Sequence, residues 1–237
     1  MRLTKHVKRC SRRFGDVRSH MRYGIPDFFM HAYTVENRVC LDEDGCPIPW
    51  LTYPCVCYLK QLDFSQRSVF EYGSGASTEF WASRAERVVS VENEAAWATR
   101  ISDLALPNVE LIVATGDTYV AACNRAAPHD VIVIDGYWRY DCAKVCFQAL
   151  SPGGMIILDN SERYPAIIEY LRGQGLNQVD FIGPGPINRY VWATSIFLTR
   201  GADMKPRKLM QPHYVRRMTD SFEKNPELIA VNRAGSY

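Results

Sequence analysis

Residues 68–92 constrain the fold of this chain more than any other stretch. They read SVFEYGSGASTEFWASRAERVVSVE, in which two apolar strand-like runs, 68–72 and 88–92, flank a glycine loop and a short helical segment. The first run carries Glu71 near its end, and the second run ends in Glu92. A glycine turn between a strand and a helix lets the backbone approach a ligand closely, and an acid at the tip of the second strand accepts ribose hydroxyls. The stretch therefore predicts a nucleoside-binding βαβ unit.

The residues around the glycines indicate which nucleoside is bound. A dinucleotide fingerprint has a third glycine three residues after the second one, where this chain has Thr78. Instead, Glu71 stands two residues before the first glycine, and a carboxylate there repels a pyrophosphate but suits a cationic ligand. The segment 71–75, EYGSG, resembles motif I of the class I S-adenosylmethionine-dependent methyltransferases, which has the pattern E/D-x-G-x-G.

The rest of the chain alternates between strand-like and helical patterns. Further apolar runs lie at 109–114, 131–135, 155–159, 179–182 and 194–199. Continuous apolar strands separated by amphipathic helices indicate a mostly parallel sheet that is covered on both faces. A Gly-Pro-Gly-Pro segment without a helix joins the last two runs, which predicts an antiparallel pair. The predicted fold is α/β, a doubly wound seven-stranded Rossmann-like sheet with helices on both faces.

The length of 237 residues suits one such domain with an extension at each end. We predict a basic and irregular N-terminal extension at 1–46, a cofactor-binding domain at 47–200 and a polar tail at 201–237. Residues 1–22 contain eight Lys or Arg and one Asp, a charge of +7, so the total of +2 leaves −5 for the remainder. A basic arm binds nucleic acid, an anionic membrane or an acidic partner in some proteins. No aromatic residue is interleaved before Phe14, so a nucleic-acid partner is not expected.

The composition bears on the cellular compartment in which the protein is expected. No run of about 18 apolar residues is present, so a transmembrane helix is not expected. The N-terminus lacks the apolar segment of a secretory signal, and the eight cysteines lack paired metal-binding spacing. These features favour a cytoplasmic protein with reduced thiols. A homodimer is an open alternative to a monomer.

Acidic residues stand at or just after the ends of five successive predicted strands. Ligands of an open parallel sheet bind beyond the carboxyl ends of its strands, so these residues are expected to line one site. The residues at the five strand ends are Glu71 with Gly73, Glu92, Asp117 after Gly116, Asp135, and Asp159 with Asn160.

The resemblance to class I methyltransferases implies how these residues bind S-adenosylmethionine. The glycine loop would contact the methionine moiety, with Glu71 near its ammonium group. Glu92 would hold the ribose, Asp117 would face the adenine amino group, and Asp135 would lie beneath the sulfonium and the acceptor. The implied cofactor-binding residues are Glu71, Tyr72, Gly73, Ser74, Gly75, Ser77, Glu92, Asp117 and Asp135.

A closer resemblance begins at Asp135. The segments 135–142, DGYWRYDC, and 150–161, LSPGGMIILDNS, resemble the small-molecule O-methyltransferases related to catechol O-methyltransferase. This resemblance implies a magnesium site formed by Asp135, Asp159 and Asn160, because hard oxygen ligands at adjoining strand ends suit Mg²⁺. The ion would lower the pKa of the acceptor hydroxyl and orient it.

One position departs from that family. The catechol enzymes have a lysine as general base three residues after the first Asp, where this chain has Trp138. The adjacent Arg139 stays protonated and cannot accept a proton, which leaves the base and the metal open. The candidate catalytic residues are Asp135 and Arg139. Without a metal, alignment of the acceptor with the activated methyl group would supply much of the acceleration.

The resemblance covers residues 47–200, and the function that it implies is methyl transfer from S-adenosylmethionine to a small-molecule acceptor, expected at oxygen. A nicotinamide-dependent oxidoreductase is the alternative enzyme, although it predicts a third glycine and no acid at position 71. A non-catalytic Rossmann-like protein that uses its basic arm for a partner is the other alternative. The candidate walls of an aromatic acceptor pocket are Trp50, Tyr53, Trp138, Tyr140, Tyr164 and Trp192.

Overall fold

The computed structural model describes residues 30–207. The basic segment 1–22 and the tail beyond residue 207 lie outside the described residues, so the predictions made for them stay predictions. Within the described part, no helix combines the length and the apolar character needed to cross a membrane.

A seven-stranded sheet forms the centre of the molecule. Its strands are β1 (Ser68–Tyr72), β2 (Arg87–Glu92), β3 (Val109–Val113), β4 (His129–Ile134), β5 (Leu150–Asp159), β6 (Asn177–Gly183) and β7 (Trp192–Leu198). They lie side by side in the order β3-β2-β1-β4-β5-β7-β6. Strands β1 to β5 are mutually parallel, and β7 runs antiparallel to both β5 and β6. The predicted seven-stranded fold is thus confirmed, including the antiparallel pair at its end.

Helices cover both faces of this sheet. They are α1 (His31–Asn37), α2 (Tyr53–Gln61), α3 (Ala76–Ala82), α4 (Ala95–Ser102), α5 (Gly116–Val120), α6 (Arg139–Cys146) and α7 (Pro165–Gly173). Neighbouring residues of a strand point to opposite faces. On β1, Val69 packs into a core with α2 and α3, while Phe70 packs into a second core with α6 and α7. The central strands are apolar on both faces because both faces are buried.

Strand β5 begins five residues before the predicted run 155–159. The pairing register between β5 and β4 shifts at these extra residues, between His129 and Val131 of β4. Gly153 has φ +82°, and a Cβ on Gly154 would lie 2.8 Å from the carbonyl oxygen of Asp130. The two glycines therefore let the strand continue through this bend, although adjacent glycines in a sequence usually indicate a turn.

The described parts of both predicted extensions pack against the domain. Cys40 of the N-terminal extension belongs to the core on the α2 side of the sheet. On the other extension, Pro206 forms a β-bridge with Leu62, and the Asp203 carbonyl accepts a hydrogen bond from Arg67 at 3.2 Å. The predicted boundaries at 46/47 and 200/201 therefore do not coincide with a loss of packing.

The strand order determines where a ligand can bind. The chain proceeds outward from β1 through β2 to β3, and then returns to the other side of β1 and proceeds through β4 to β5. The connections after β1 and β4 therefore leave the sheet on opposite sides. A crevice opens at such a switch point, beyond the carboxyl ends of the two strands.

Candidate active site

A cleft of about 1000 Å³ lies at this switch point. Ligand pockets span about 300–1,000 Å³, so the cleft has room for a nucleoside cofactor and a second small molecule. We call its part formed by the β1–α3 loop, the end of β2 and helix α4 the cofactor side. The part formed by the end of β5, the β6–β7 loop and residues between 38 and 50 is the acceptor side.

Two glycines bring the loops after β1 and β4 against each other. Gly73 has φ +92°, and a Cβ there would lie 3.2 Å from the Cα of Gly136. A Cβ on Gly136 would lie 1.9 Å from the hydroxyl oxygen of the buried Tyr119. Both positions require glycine, and both residues line the cleft.

Glu92 fixes the glycine loop from the end of β2. Its Oε2 accepts hydrogen bonds from the backbone N–H and the hydroxyl of Ser74, at 2.9 and 3.0 Å. Its Oε1 accepts from the N–H groups of Asn93 and Glu94, at 2.8 and 2.9 Å. A carboxylate offers about four acceptor positions, and these four bonds use them all. A ribose hydroxyl would therefore have to replace the Ser74 hydroxyl on Glu92.

Glu71 supports the same loop from beneath. It accepts a hydrogen bond from the Thr78 hydroxyl, which in turn accepts the N–H of Gly75 at 2.9 Å. Burial raises the pKa of the Glu71 carboxyl to about 7, against the opposing effect of the Thr78, Ser77 and Ser90 hydroxyls. Glu71 is not among the residues that line the cleft. Its proposed contact with an ammonium group stays a prediction, whereas its contact with the loop is direct.

The other predicted cofactor residues divide into two groups. Ser74, Gly75 and Ser77 line the cleft. Tyr72 instead points into the core and donates its hydroxyl to the carbonyl oxygen of Val120 at 2.7 Å. Asp117 is exposed on α5 and is not among the cleft-lining residues.

Trp97 of helix α4 is a cleft residue that the sequence analysis did not propose. Its indole N–H donates to the carbonyl oxygen of Ser74, and its side chain lies 3.6 Å from the position of a Cβ on Gly75. The residue stays 40% exposed, with the Arg100 guanidinium 5.2 Å from its ring centroid. A signal was available, because Trp97 is the single large side chain among alanines just after Glu92.

Arg139 joins the ends of β4 and β5. Its Nε donates to the Gly136 carbonyl at 2.9 Å, and its Nη2 donates to the carbonyl and to Oδ1 of Asp135, at 3.0 and 2.9 Å. Its Nη1 donates to the Asp159 carbonyl at 2.6 Å and to the Asn160 side-chain oxygen at 3.3 Å. A guanidinium has five N–H donors, and these five bonds account for them. Arg139 therefore positions its neighbours and keeps no donor for a substrate.

Asp135 faces the cleft between the two sides. Its side chain is 31% exposed, and Arg139 holds its Oδ1 while Oδ2 carries no hydrogen bond within residues 30–207. The pKa of this carboxyl lies well above its ordinary value, first because the surrounding protein removes it from water and second because of the negative charge of Asp159. A carboxylate with a raised pKa and one free oxygen is suited to accept a proton.

Asp159 also lines the cleft, but its Oδ1 is directed to strand β7. Its Oδ1 accepts hydrogen bonds from the Trp192 indole at 2.9 Å and from the Thr194 hydroxyl at 2.6 Å. The residue is 3% exposed, and burial raises the pKa of its carboxyl to about 6.

The three predicted magnesium ligands therefore do not form a metal site. The Arg139 guanidinium already binds Asp135 and Asn160, and the Asp159 carboxylate accepts a hydrogen bond from Thr194 of β7. No group of three His, Cys, Asp or Glu side chains suited to a metal occurs in the part of the chain that the structure describes. The arrangement does not favour Mg²⁺, because the Arg139 guanidinium already binds one oxygen of Asp135 and the side-chain oxygen of Asn160.

The aromatic residues that line the acceptor part of the cleft are mostly not the predicted ones. Trp50 lines the cleft, whereas Tyr53 and Trp192 are buried in the domain. Tyr137 and Tyr190, which the sequence analysis did not select, also line the cleft. The remaining candidates, Trp138, Tyr140 and Tyr164, are not among the lining residues.

The architecture defines a class of protein. A seven-stranded sheet in this order, with an antiparallel seventh strand, a glycine loop after β1 and a cleft at the switch point, is the fold of the class I S-adenosylmethionine-dependent methyltransferases.

Comparisons with solved structures agree with this class. The precorrin-6y C5,15-methyltransferase of Geobacter metallireducens GS-15 is similar over 68% of this chain and 97% of its own, with a TM-score of 0.50 and 14% identity. The O-methyltransferase TomG of Streptomyces achromogenes is similar over 61% and 76%, with a TM-score of 0.49 and 18% identity. An rRNA methylase of Streptococcus thermophilus is similar over 64% and 98%, with a TM-score of 0.45 and 16% identity. At these identities the likeness shows the fold alone.

Sequence comparisons add no family to this result. No protein-family model matches the chain, and no curated protein matches it.

Proposed function

We propose that this protein transfers the methyl group of S-adenosylmethionine to an oxygen atom of a small-molecule acceptor. One observation supports the proposal above all others. The glycine loop, the carboxylate of Glu92 and the free carboxylate oxygen of Asp135 line the same cleft at the switch point of a methyltransferase fold. The three structural neighbours described above all carry the name of a methylating enzyme.

The cofactor side has the features that S-adenosylmethionine requires. The backbone of the glycine loop is open to close approach, and Glu92 is an acceptor for ribose hydroxyls at the tip of β2. Trp97 offers an exposed aromatic surface for an adenine ring. Bound S-adenosylmethionine would supply a methyl group on a positively charged sulfur, and that sulfur would leave with the electrons of its bond to the methyl carbon.

Asp135 favours oxygen as the accepting atom. A hydroxyl becomes a strong nucleophile as it loses its proton, and Asp135 would take that proton on Oδ2 while the new carbon–oxygen bond forms. Arg139 would hold the carboxylate in place through Oδ1. The role of Arg139 in this proposal is positioning, because its donors are all engaged within the protein.

A divalent metal is not part of the proposal. The guanidinium of Arg139 stands among the side chains that would otherwise hold it. Proximity and alignment, with Asp135 as the base, would supply the acceleration.

Thermal unfolding with added ligands tests the cofactor. S-adenosylhomocysteine, NAD and NADP are added separately, each with and without magnesium. A ligand at about 100 times its dissociation constant adds about 2.7 kcal/mol of stability, which gives a clear shift in melting temperature. The proposal expects a shift with S-adenosylhomocysteine alone and no further shift with magnesium.

The other outcomes favour other functions. A shift with NAD or NADP only would replace the proposal with an oxidoreductase. A shift with none of the three would favour a non-catalytic protein. A further shift that requires magnesium would favour the metal site predicted at Asp135, Asp159 and Asn160.

Methyl transfer itself tests Asp135. With radiolabelled S-adenosylmethionine and a panel of hydroxylated small molecules, Asp135→Asn is expected to lower the rate of transfer by about 10²–10⁴-fold, which is the usual contribution of a general base. Its affinity for S-adenosylhomocysteine is expected to change much less. Asp141→Asn is the control, because Asp141 is an exposed carboxylate on the same segment that does not line the cleft. Equal rates for Asp135→Asn and the wild type would exclude Asp135 as the base.

A further inference from the structure

The charged residues of the cleft are unequally distributed. Three glutamates, Glu79, Glu92 and Glu94, and one arginine, Arg100, line the cofactor side. On the acceptor side, the lining residues that carry a full charge are Arg38, Arg163 and Asp159. Whether each of these three side chains is ion-paired, buried or exposed determines the charge that a ligand would encounter on this side.

Arg38 presents an unpaired positive charge. It follows helix α1, is exposed, and has no ion pair within the described residues 30–207. An arginine keeps its charge at any physiological pH and presents up to five donors in a plane that matches a carboxylate or a phosphate.

Arg163 lies across the acceptor side, in the turn after β5. Its Nε is 3.3 Å from Oε1 of Glu162, and it also hydrogen-bonds Tyr190. Glu162 has a second task, because its Oε2 accepts the backbone N–H of Ala193 at 3.0 Å. The side chain of Arg163 stays 56% exposed, so part of its guanidinium is open to the cleft.

The acids on this side are engaged by hydrogen bonds or by an ion pair. Asp159 is buried and directs its Oδ1 to Trp192 and Thr194. Asp135, which borders the acceptor side, is paired with Arg139 at 2.9 Å. The positive charge that stays open to a ligand on this side is therefore that of Arg38 and of the exposed part of Arg163, whose charge is shared with Glu162.

The backbone gives an independent sign that this side is built for a ligand. Three of its lining residues have left-handed backbone angles without being glycine: Arg38 (φ 54°), Asn160 (φ 51°) and Ile187 (φ 68°). Such angles cost about 1–3 kcal/mol each, most of all for a β-branched residue, and they concentrate at binding sites. The N–H of Ile187 is held by the Thr34 hydroxyl at 3.3 Å, which ties the β6–β7 loop to helix α1.

We propose that the acceptor carries an anionic group, a carboxylate or a phosphate, which Arg38 and Arg163 bind at the acceptor side of the cleft. This inference rests on the proposed methyl transfer and names the class of its acceptor. The anionic group would lie away from the cofactor side, and the acceptor oxygen would face Asp135. The exposed rings of Trp50 and Tyr190 on the same side suit a planar scaffold between the two ends.

Binding of matched probes tests the proposal. Isothermal titration uses protein saturated with S-adenosylhomocysteine, and the probes are 4-hydroxybenzoate, 4-hydroxyphenyl phosphate and the neutral 4-hydroxybenzamide. The wild type is expected to bind at least one anion about tenfold or more tightly than the amide, as a charge-assisted bidentate contact would require. The stronger of the two anions identifies the carboxylate or the phosphate as the group that the site prefers.

Three variants assign the preference to the cleft. Arg38→Gln and Arg163→Gln are each expected to lose most of the preference for the anion, and the double variant all of it. Arg189→Gln is the matched control, because Arg189 is an exposed arginine of the β6–β7 loop that does not line the cleft. It removes the same charge from the same neighbourhood and is expected to keep the preference.

Several results would overturn the proposal. Equal affinity of the wild type for the amide and both anions is one, and the absence of measurable anion binding at millimolar concentration is another. An equal loss in Arg189→Gln would show a general charge effect rather than a site. The affinity for S-adenosylhomocysteine is measured in parallel with each variant. If that cofactor product does not bind the wild type, the proposed function fails, whereas normal cofactor binding without anion preference refutes only the anionic acceptor.

Discussion

The two sides of the cleft are held together in opposite ways. On the cofactor side, the decisive contacts join residues that are near in sequence: Gly75 with Thr78 at a separation of 3, Glu71 with Thr78 at 7, and Ser74 with Glu92 at 18. On the acceptor side the separations extend much further. Arg139 meets Asp159 across 20 residues, Thr194 meets Asp159 across 35, and Ile187 meets Thr34 across 153. The cofactor side is therefore a local unit, whereas the acceptor side exists only in the complete fold.

This difference distinguishes a part of the site that many proteins can share from a part that can be specific to one protein. A loop held by its own βαβ unit suits the part of the site that binds the same cofactor in many proteins. An edge assembled from distant segments changes with each insertion or substitution and is suited to a particular acceptor. Four variants test the two modes of assembly, in order of decreasing expected effect.

Gly136→Ala changes the point at which the two sides meet. The new Cβ would lie 1.9 Å from the Tyr119 hydroxyl and 3.0 Å from the Gly73 nitrogen. Overpacking of this kind costs about 3 kcal/mol or more, and it should also displace the glycine loop. Urea unfolding and S-adenosylhomocysteine binding measure the two effects. Gly173→Ala is the control, because a Cβ there meets nothing within 4 Å; equal stability of the two variants would contradict the close approach of the loops.

Glu71→Gln tests the local support of the glycine loop through pH. The pKa of the Glu71 carboxyl is raised by burial from 4.5 to about 7. Between these values the folded chain holds a proton that the unfolded chain has lost, so this contribution to stability falls as the pH rises and is gone above about 7. The full change corresponds to about 3 kcal/mol.

The measurement is the free energy of unfolding in urea at several pH values. The wild type is expected to lose stability relative to Glu71→Gln between pH 4.5 and 7, and glutamine keeps an acceptor for the Thr78 hydroxyl. Since the other groups titrate alike in both proteins, their contributions cancel in the difference. A difference that does not change with pH would mean that Glu71 titrates normally.

Arg139→Met breaks the link between the ends of β4 and β5. It removes the charged partner of Asp135 and takes the guanidinium donor from three carbonyls and the Asn160 oxygen. Hydrogen bonds to charged groups contribute about 1.5–3 kcal/mol, and we expect a loss of about 2 kcal/mol together with a large loss of methyl transfer. The control is Arg125→Met, whose exposed ion pair with Glu110 should contribute almost nothing. Equal stability losses in both variants would refute the special role of Arg139.

Glu92→Gln removes the negative charge that holds the glycine loop from the end of β2. The carboxylate accepts four hydrogen bonds, two of them from Ser74. Loss of the charge at an acceptor of this kind costs about 1.5 kcal/mol, so the affinity for S-adenosylhomocysteine should fall by about tenfold. Titration calorimetry measures it, with Glu86→Gln before the start of β2 as the control. Unchanged affinity would mean that the ribose is bound elsewhere.

What the sequence could predict of the site also differs between contacts that are local in sequence and contacts between distant segments. The glycine loop, Glu71 and Glu92 were identified from the sequence, because a strand, a tight turn and a helix leave a local pattern of residue types. Asp135 and Asp159 were also identified as strand-end acids. The contacts that hold the Asp159 carboxylate were not predictable, since Trp192 and Thr194, which bind its Oδ1, lie more than thirty residues further along.

The metal hypothesis shows the limit of residue matching. Asp135, Asp159 and Asn160 match a ligand set position by position, and only the structure shows the guanidinium of Arg139 among them. The same limit applies to the aromatic pocket, where Tyr137 and Tyr190 line the cleft in place of most of the residues that composition suggested.

By itself, the sequence determined the seven-stranded α/β fold, the glycine loop and the acids at the strand ends. These features follow from hydrophobic periodicity and turn chemistry, which act over a few residues. Only the tertiary structure decided which side chains face the cleft, that Arg139 takes the central place among the acids, and that Arg38 and Arg163 share one side. The physical reason is that burial and hydrogen bonding between distant segments select the orientation of each side chain, and neither exists until the sheet has assembled.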